Sequence, residues 1–163
     1  DNYKFKINLG NIKARLRMVF LYHVASINEG LVLSTDNFTE YLLGFWTLHG
    51  DVGDYGMIAN LWKTEVYKVA RLLCLEVDNE ARNAMEECIN AIPTDGLGIA
   101  ESDFEQLGVD SYEEIDEILD QVHFNREWYL EHKGDEMWKS PVVKRYFSTE
   151  FKRENPYNVV IER

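Results

Sequence analysis

The chain has 163 residues, 45% of them hydrophobic, with eight Phe, nine Tyr and four Trp, so it can bury a core of its own and is not a disordered segment. Its 17 Lys and Arg against 29 Asp and Glu give a net charge of −12 and a pI near 4.7, which argues against nucleic-acid backbones and anionic membrane surfaces as direct ligands. The charge is concentrated: residues 76–120 carry fifteen carboxylates and one arginine, Arg82, a local net charge of −14, while both flanks are nearly neutral.

Tyr3 to Ile7 alternates at period two, as a strand does, and Asn158 to Ile161 is β-branched, so the two ends are predicted to pair as a small β ribbon. Residues 11–28 are apolar nearly all round from Met18 to Ile27, the pattern of a central buried helix with His23 as a core histidine. Asn37 and Glu40 make a capping-box pair ahead of Phe38, Tyr41, Leu42, Phe45, Trp46 and His49, whose spacing predicts a helix over 38–49. Gly50, Gly53 and Gly56 break that pattern, and Met57, Leu61, Val66, Val69 and Leu73 mark a helix over about 54–75.

Asp78 caps a further helix with the stripe Ala81, Ala84, Met85, Cys88, Ile89 and Ile92, stopped by Pro93. Ser102 with Glu105 and Ser111 with Glu114 are successive capping boxes, and the second opens a helix to about Lys133, closed by Gly134. Ser140-Pro141 starts a short helix that ends before Asn155-Pro156. The predicted fold is mainly α: a single compact helical domain over 1–163, with five to seven helices, an acidic middle at 76–120 and the terminal ribbon as its sheet.

Cys74 and Cys88 sit in apolar helical patterns and read as small hydrophobes in a reducing, cytoplasmic setting. No signal peptide and no membrane-length apolar run is visible. Asp116, Asp120, His123 and Glu127 follow one side of a helix. Asp120-x-x-His123 is a single imperfect copy of a motif that a di-metal bundle needs twice, so neither a metal nor a cofactor is expected. Asp51, Gly53 and Gly56 are glycine-rich but lack the strand and lysine of a phosphate-binding loop, Lys63 being too far along.

Arg126 and His132 have an Arg-x5-His spacing that resembles the motif of HEPN ribonucleases. The resemblance covers seven residues and implies a helical ribonuclease using that pair; Glu127, after the arginine, suits RNA poorly.

On the helix from Ser111, an outer row carries Glu113, Glu117, Asp120, Phe124 and Trp128, opposite a core face of Ile115, Ile118, Leu119, Val122 and Tyr129. Acids running into large aromatics have the composition of a protein-binding surface. The leading expectation is therefore a non-catalytic acidic binding protein, not an enzyme. It would dock on a basic protein, such as a toxin or a nucleic-acid-processing enzyme, and act as an inhibitor: an immunity protein, an antitoxin-like partner or a nucleic-acid mimic. Its charged contacts would be Glu101, Asp103, Glu105, Glu113, Glu114, Glu117 and Asp120, with Phe124 and Trp128 as aromatic anchors. The alternatives are an acidic chaperone or adaptor for a secreted or assembled protein, and the HEPN-like ribonuclease.

Overall fold

The computed structural model describes residues 2–94, 96 and 98–156 and begins with a long helix, α1 (Asn2–Ile27). The strand expected over Tyr3–Ile7 is helical instead, since its period-two pattern is too short to resist continuation of the helix behind it. Its partner segment, 158–161, lies outside the described residues. Nor is α1 a central helix. Ala14 is its only buried residue, His23 is exposed, and Phe5, Leu16, Val19, Phe20 and Ile27 are all more than 60% exposed. All-round apolarity predicts two covered sides; in the described residues one side of the helix is open.

A short strand, β1 (Leu33–Ser34), follows, then helix α2 (Phe38–Leu43) and strand β2 (Tyr55–Gly56). The strands pair in parallel, Leu33 opposite Tyr55 and Ser34 opposite Gly56. Parallel neighbours need a crossover connection, and α2 with its loop supplies one. This β-α-β turn corrects the expectation of an all-helical domain: the loop glycines that seemed only to break helices deliver a strand. A Cβ on Gly53 would lie 2.5 Å from the Ser34 nitrogen, so the loop can pack on the β1 backbone only because residue 53 has no side chain.

Helix α2 is shorter than its pattern predicts because Gly44 takes a left-handed conformation, φ 63°, and its N–H closes the helix on the Glu40 and Tyr41 carbonyls. Helix α3 (Lys63–Leu73) likewise starts nine residues later than expected. Helix α4 (Asn79–Asn90) is capped by the Asp78 carboxylate, which accepts from the Ala81 N–H.

Helix α5 (Asp103–Leu107) and helix α6 (Tyr112–Phe124) start at the two predicted serines, Ser102 and Ser111. The paired glutamates reach one residue beyond the expected position: Glu105 accepts from the Glu101 N–H and Glu114 from the Asp110 N–H. The helix expected to continue to Lys133 breaks at Asn125, whose side chain bonds back to the Gln121 carbonyl. Beyond it lie α7 (Arg126–Glu131), a 3₁₀ turn at Glu136–Lys139, α8 (Pro141–Ser148) and α9 (Glu150–Arg153).

The core gathers around α6. Its Ile115, Leu119 and Val122 pack with Leu42 and Leu43 of α2, Leu107 of α5, Tyr129 of α7, and Val142, Val143 and Tyr146 of α8. No helix among the described residues is long and apolar enough to cross a membrane.

Candidate functional site

The chain leaves β1 at Ser34 and passes through Thr35, Asp36 and Asn37 before α2 begins. This is the carboxyl end of a parallel pair, where open α/β sheets place their ligands. The Asn37 side chain accepts from the Glu40 N–H at 3.0 Å, and Glu40 Oε2 accepts from the Asn37 N–H at 3.1 Å. The cap thus fixes one Glu40 oxygen and leaves Oε1 to accept from the Lys63 ammonium at 2.8 Å. Both side chains of that ion pair are about four-fifths shielded from solvent. The Lys63 ammonium also stands over two rings, 5.6 Å from the centre of Tyr112 and 5.9 Å from that of Tyr67.

Two further carboxylates face the same region. Burial, then the neighbouring charges of Glu40 and Asp51, push the Asp36 carboxyl up to about 7. Asp51 accepts from the Thr47 N–H at 2.7 Å at the turn of the α2–β2 loop. Just before it, His49 holds a left-handed φ of 60°, strained for a residue with a side chain. Helix α1 braces this loop: Arg15 Nε donates to the Leu48 carbonyl at 3.2 Å and Thr47 Oγ1 donates to Asn11 at 2.8 Å. From the far side, the Lys152 ammonium donates to the Gly44 carbonyl at 2.7 Å and to that of Trp46. Burial, then the charge of Arg145, push Lys152 down to about 8, with Asp51 pulling the other way.

Asp36, Glu40 and Asp51 therefore make an acidic, half-buried cluster with Lys63 at its edge. Such a cluster draws small cations, and a carboxyl held near neutrality can accept and return a proton there. Beside it, Tyr67 and Tyr112 also line a cavity of about 420 Å³ between α3, α4 and α5, along with Arg71, Pro93 and Phe104.

The residues predicted as a docking face do not converge on this site. Glu113, Glu117 and Asp120 are exposed on α6, and Phe124 is 69% and Trp128 45% exposed. Asp103 accepts from the Tyr112 hydroxyl at 2.6 Å, while Glu105 and Glu114 cap backbone N–H groups. Glu101 is itself exposed and bonded through its N–H. Much of the acidic block is thus used locally. The ribonuclease pair is also undone. Arg126 is held by Glu150, and His132 is stacked on Trp128 with Nδ1 2.8 Å from the Trp128 carbonyl. Asp116 turns inward to Thr39 and His123 lies against Phe38 and Tyr146; among the described residues no group of ligating side chains suits a metal.

Sequence reasoning did not single out Asp36 for this candidate site, and it set Asp51 and Lys63 aside as a failed phosphate-binding loop. The available signal was the polar run Ser34–Asn37 and the glycine-rich 50–56 segment, which the pairing of β1 with β2 brings together and which no local pattern joined.

The sequence pattern described as NAD synthase matches residues 1–156. The NH(3)-dependent NAD(+) synthetase of Thermoplasma acidophilum is 35% identical over 152 residues, covering 93% of this chain and 57% of the relative. The structure of an NH3-dependent NAD synthetase from Campylobacter jejuni, in complex with a nitrate ion, superposes with a TM-score of 0.62 at 27% identity, covering 94% of this chain and 56% of that one. The structure of an NMN synthetase from Francisella tularensis superposes with a TM-score of 0.66 at 24% identity, over 97% and 57%, a likeness of fold. The chain spans a little over half the length of these relatives. Their fold is α/β, which confirms the correction from a helical bundle. They also overturn the expectation of a non-catalytic inhibitor docked on a basic protein: the matches are to synthetases, two of them named for ammonia and NAD.

Proposed function

Because the chain belongs to the NAD synthase family, we propose that it carries part of the site at which ammonia is joined to a dinucleotide carboxylate to give NAD+. Amide formation from a carboxylate requires a better leaving group than oxide, which ATP supplies in this reading. The nucleophile must be neutral ammonia, yet ammonium predominates at neutral pH. An acidic cluster attracts ammonium, and a carboxyl near neutrality takes its proton better than an ordinary aspartate does. The observation that carries the reading is therefore Asp36, raised to about 7 between Glu40 and Asp51 at the carboxyl end of β1. Lys63, fixed by Glu40, is a cation placed to meet the anionic parts of the substrates. A cytoplasmic location suits such small-molecule chemistry.

The test supplies the protein with the deamidated dinucleotide, ATP and ammonium and follows NAD+ by its enzymatic reduction. NAD+ that forms only with ammonium, and that falls in Asp36→Asn, supports the reading. NAD+ formed at an undiminished rate by Asp36→Asn, in a protein whose circular dichroism shows the helical fold, overturns it.

A further inference from the structure

Among the described residues one carboxylate is buried away from the acidic cluster and yet touches both of the elements that supply its ion pair. Asp116, on α6, is 8% exposed. Its Oδ1 accepts from the Thr39 hydroxyl at 2.5 Å, and its Oδ2 accepts from the Thr64 N–H at 3.0 Å. The same Thr39 oxygen accepts from the Lys63 N–H at 2.8 Å. Thr39 precedes Glu40 in α2, and Lys63 and Thr64 are the first two residues of α3.

These three bonds make a tertiary cap. The first turn of a helix leaves N–H groups without partners in its own backbone, and here two other helices provide the acceptors for α3. Glu65 of α3 accepts locally from the Trp62 N–H, but the acceptors for the Lys63 and Thr64 N–H groups come from 24 and 52 positions away. A surface aspartate could cap a helix equally well. Burying one is costly unless its oxygens are matched, and here both are. What burial adds is rigidity: α2 and α3 cannot slide against each other without leaving a desolvated carboxylate short of a donor.

We infer that Asp116 is a positioning residue, which acts through Thr39 to hold the Lys63 ammonium against Glu40 in the geometry that amidation requires. This rests on the ligase reading given above. The backbone of Lys63 is tied to the side chain of the residue beside Glu40, so the two ends of the ion pair share one anchor, and that anchor is set from α6. Misplacing a charged group by about 1 Å costs on the order of a hundredfold in rate.

The experiment is a double-mutant cycle with a spectroscopic partner. NAD+ formation is measured for Asp116→Asn, Lys63→Met and both together. Asn keeps the volume but turns an N–H₂ toward one of the two donors. The expected result is a kcat about a hundredfold lower in Asp116→Asn, with KM little changed. The substitution should add almost nothing once Lys63 is Met. A merely structural role gives losses that multiply, and that result overturns the inference. If Asp116→Asn does not fold, Thr39→Val replaces it in the same cycle and Thr39→Ser, which keeps the hydroxyl, should restore the rate.

Independently of activity, nitrogen-labelled lysine gives an NMR signal for the paired ammonium, assigned by its loss in Lys63→Met. It should vanish or shift in Thr39→Val and persist in Thr39→Ser. An unchanged signal in Thr39→Val overturns the positioning. A signal that responds as expected in a protein whose NAD+ formation is unaffected by Asp36→Asn supports the positioning and overturns the ligase reading instead.

Discussion

Lys152 and Gly44 are joined across 108 residues by an ammonium-to-carbonyl hydrogen bond of 2.7 Å. The same ammonium donates to the Trp46 carbonyl and lies 5.5 Å from the centre of the Trp46 ring. The last described helix, α9, thereby fastens the loop that carries Asp51.

Lys152→Met should cost about 1 to 3 kcal/mol, because it leaves two shielded carbonyls without a donor. The wild-type contribution also depends on pH. Lys152 titrates at about 8 in the folded chain against an ordinary 10.5, so between those values the unfolded state holds more protons. Stability from this residue therefore rises from pH 8 to pH 10.5. Denaturant titrations of both proteins at pH 7.5 and pH 10 should show the difference between them widening.

Asp36 works in the opposite direction. Its folded value of about 7 lies above the ordinary 3.8, so the folded chain holds the extra proton between those values. The penalty for ionising it is absent at pH 3.8, builds as pH rises and is complete above 7. Asp36→Asn should stabilise the fold by about 2 kcal/mol at pH 8, a figure reduced for partial solvent exposure, and by little at pH 4. Thermal melts at the two pH values read this, and NAD+ formation by the same variant should fall.

Gly44→Ala and Gly53→Ala should both be poorly tolerated, for different reasons. At Gly44 the left-handed backbone costs an L residue about 1 to 2 kcal/mol, and the new methyl would meet Thr149 at 2.5 Å. At Gly53 the methyl would strike the backbone of β1, which cannot rotate away. Losses of about 2 kcal/mol or more are expected at each, and destabilisation within 0.5 kcal/mol at Gly53 would mean that the loop does not rest on β1.

Leu119 and Phe124 share a helix but not an environment, 0% against 69% exposed. Leu119→Ala should cost about 2 to 5 kcal/mol through the cavity it leaves, whereas Phe124→Ala should stay within about 0.5 kcal/mol. Chemical denaturation of the two variants separates them.

The parts of the fold that were legible in the sequence are those held by local chemistry. Ser102, Ser111, Asp78 and Asn37 mark four helix starts because each side chain bonds a backbone group three residues away. Ile115, Leu119 and Val122 form the core face of α6, as their spacing predicts. What local pattern could not reveal was set at a distance. Two-residue strands have no period to detect, and β1 exists because Gly53 lets the chain return onto it. The site was hidden for the same reason. Glu40 looks like half of a capping box, which it is, and only its second oxygen, facing Lys63 23 residues on, distinguishes it from an ordinary cap. Net charge misled because it counts carboxylates without recording that Asp116 is buried and that Glu105 and Glu114 are engaged in capping.

The fastenings of α2 bear on how the protein is made. Thr39 waits for Asp116, the Leu43 carbonyl for Arg145, the Gly44 carbonyl for Lys152 and the Leu42 carbonyl for Arg153, separations of 77, 102, 108 and 111 residues. As the chain leaves the ribosome, this helix emerges ahead of all of these anchors with its clustered acids, and loops of that length close late. The corner that holds the acidic cluster is consequently among the last parts to set, and a nascent chain halted before Arg153 carries every residue of that cluster without the grip that shapes it.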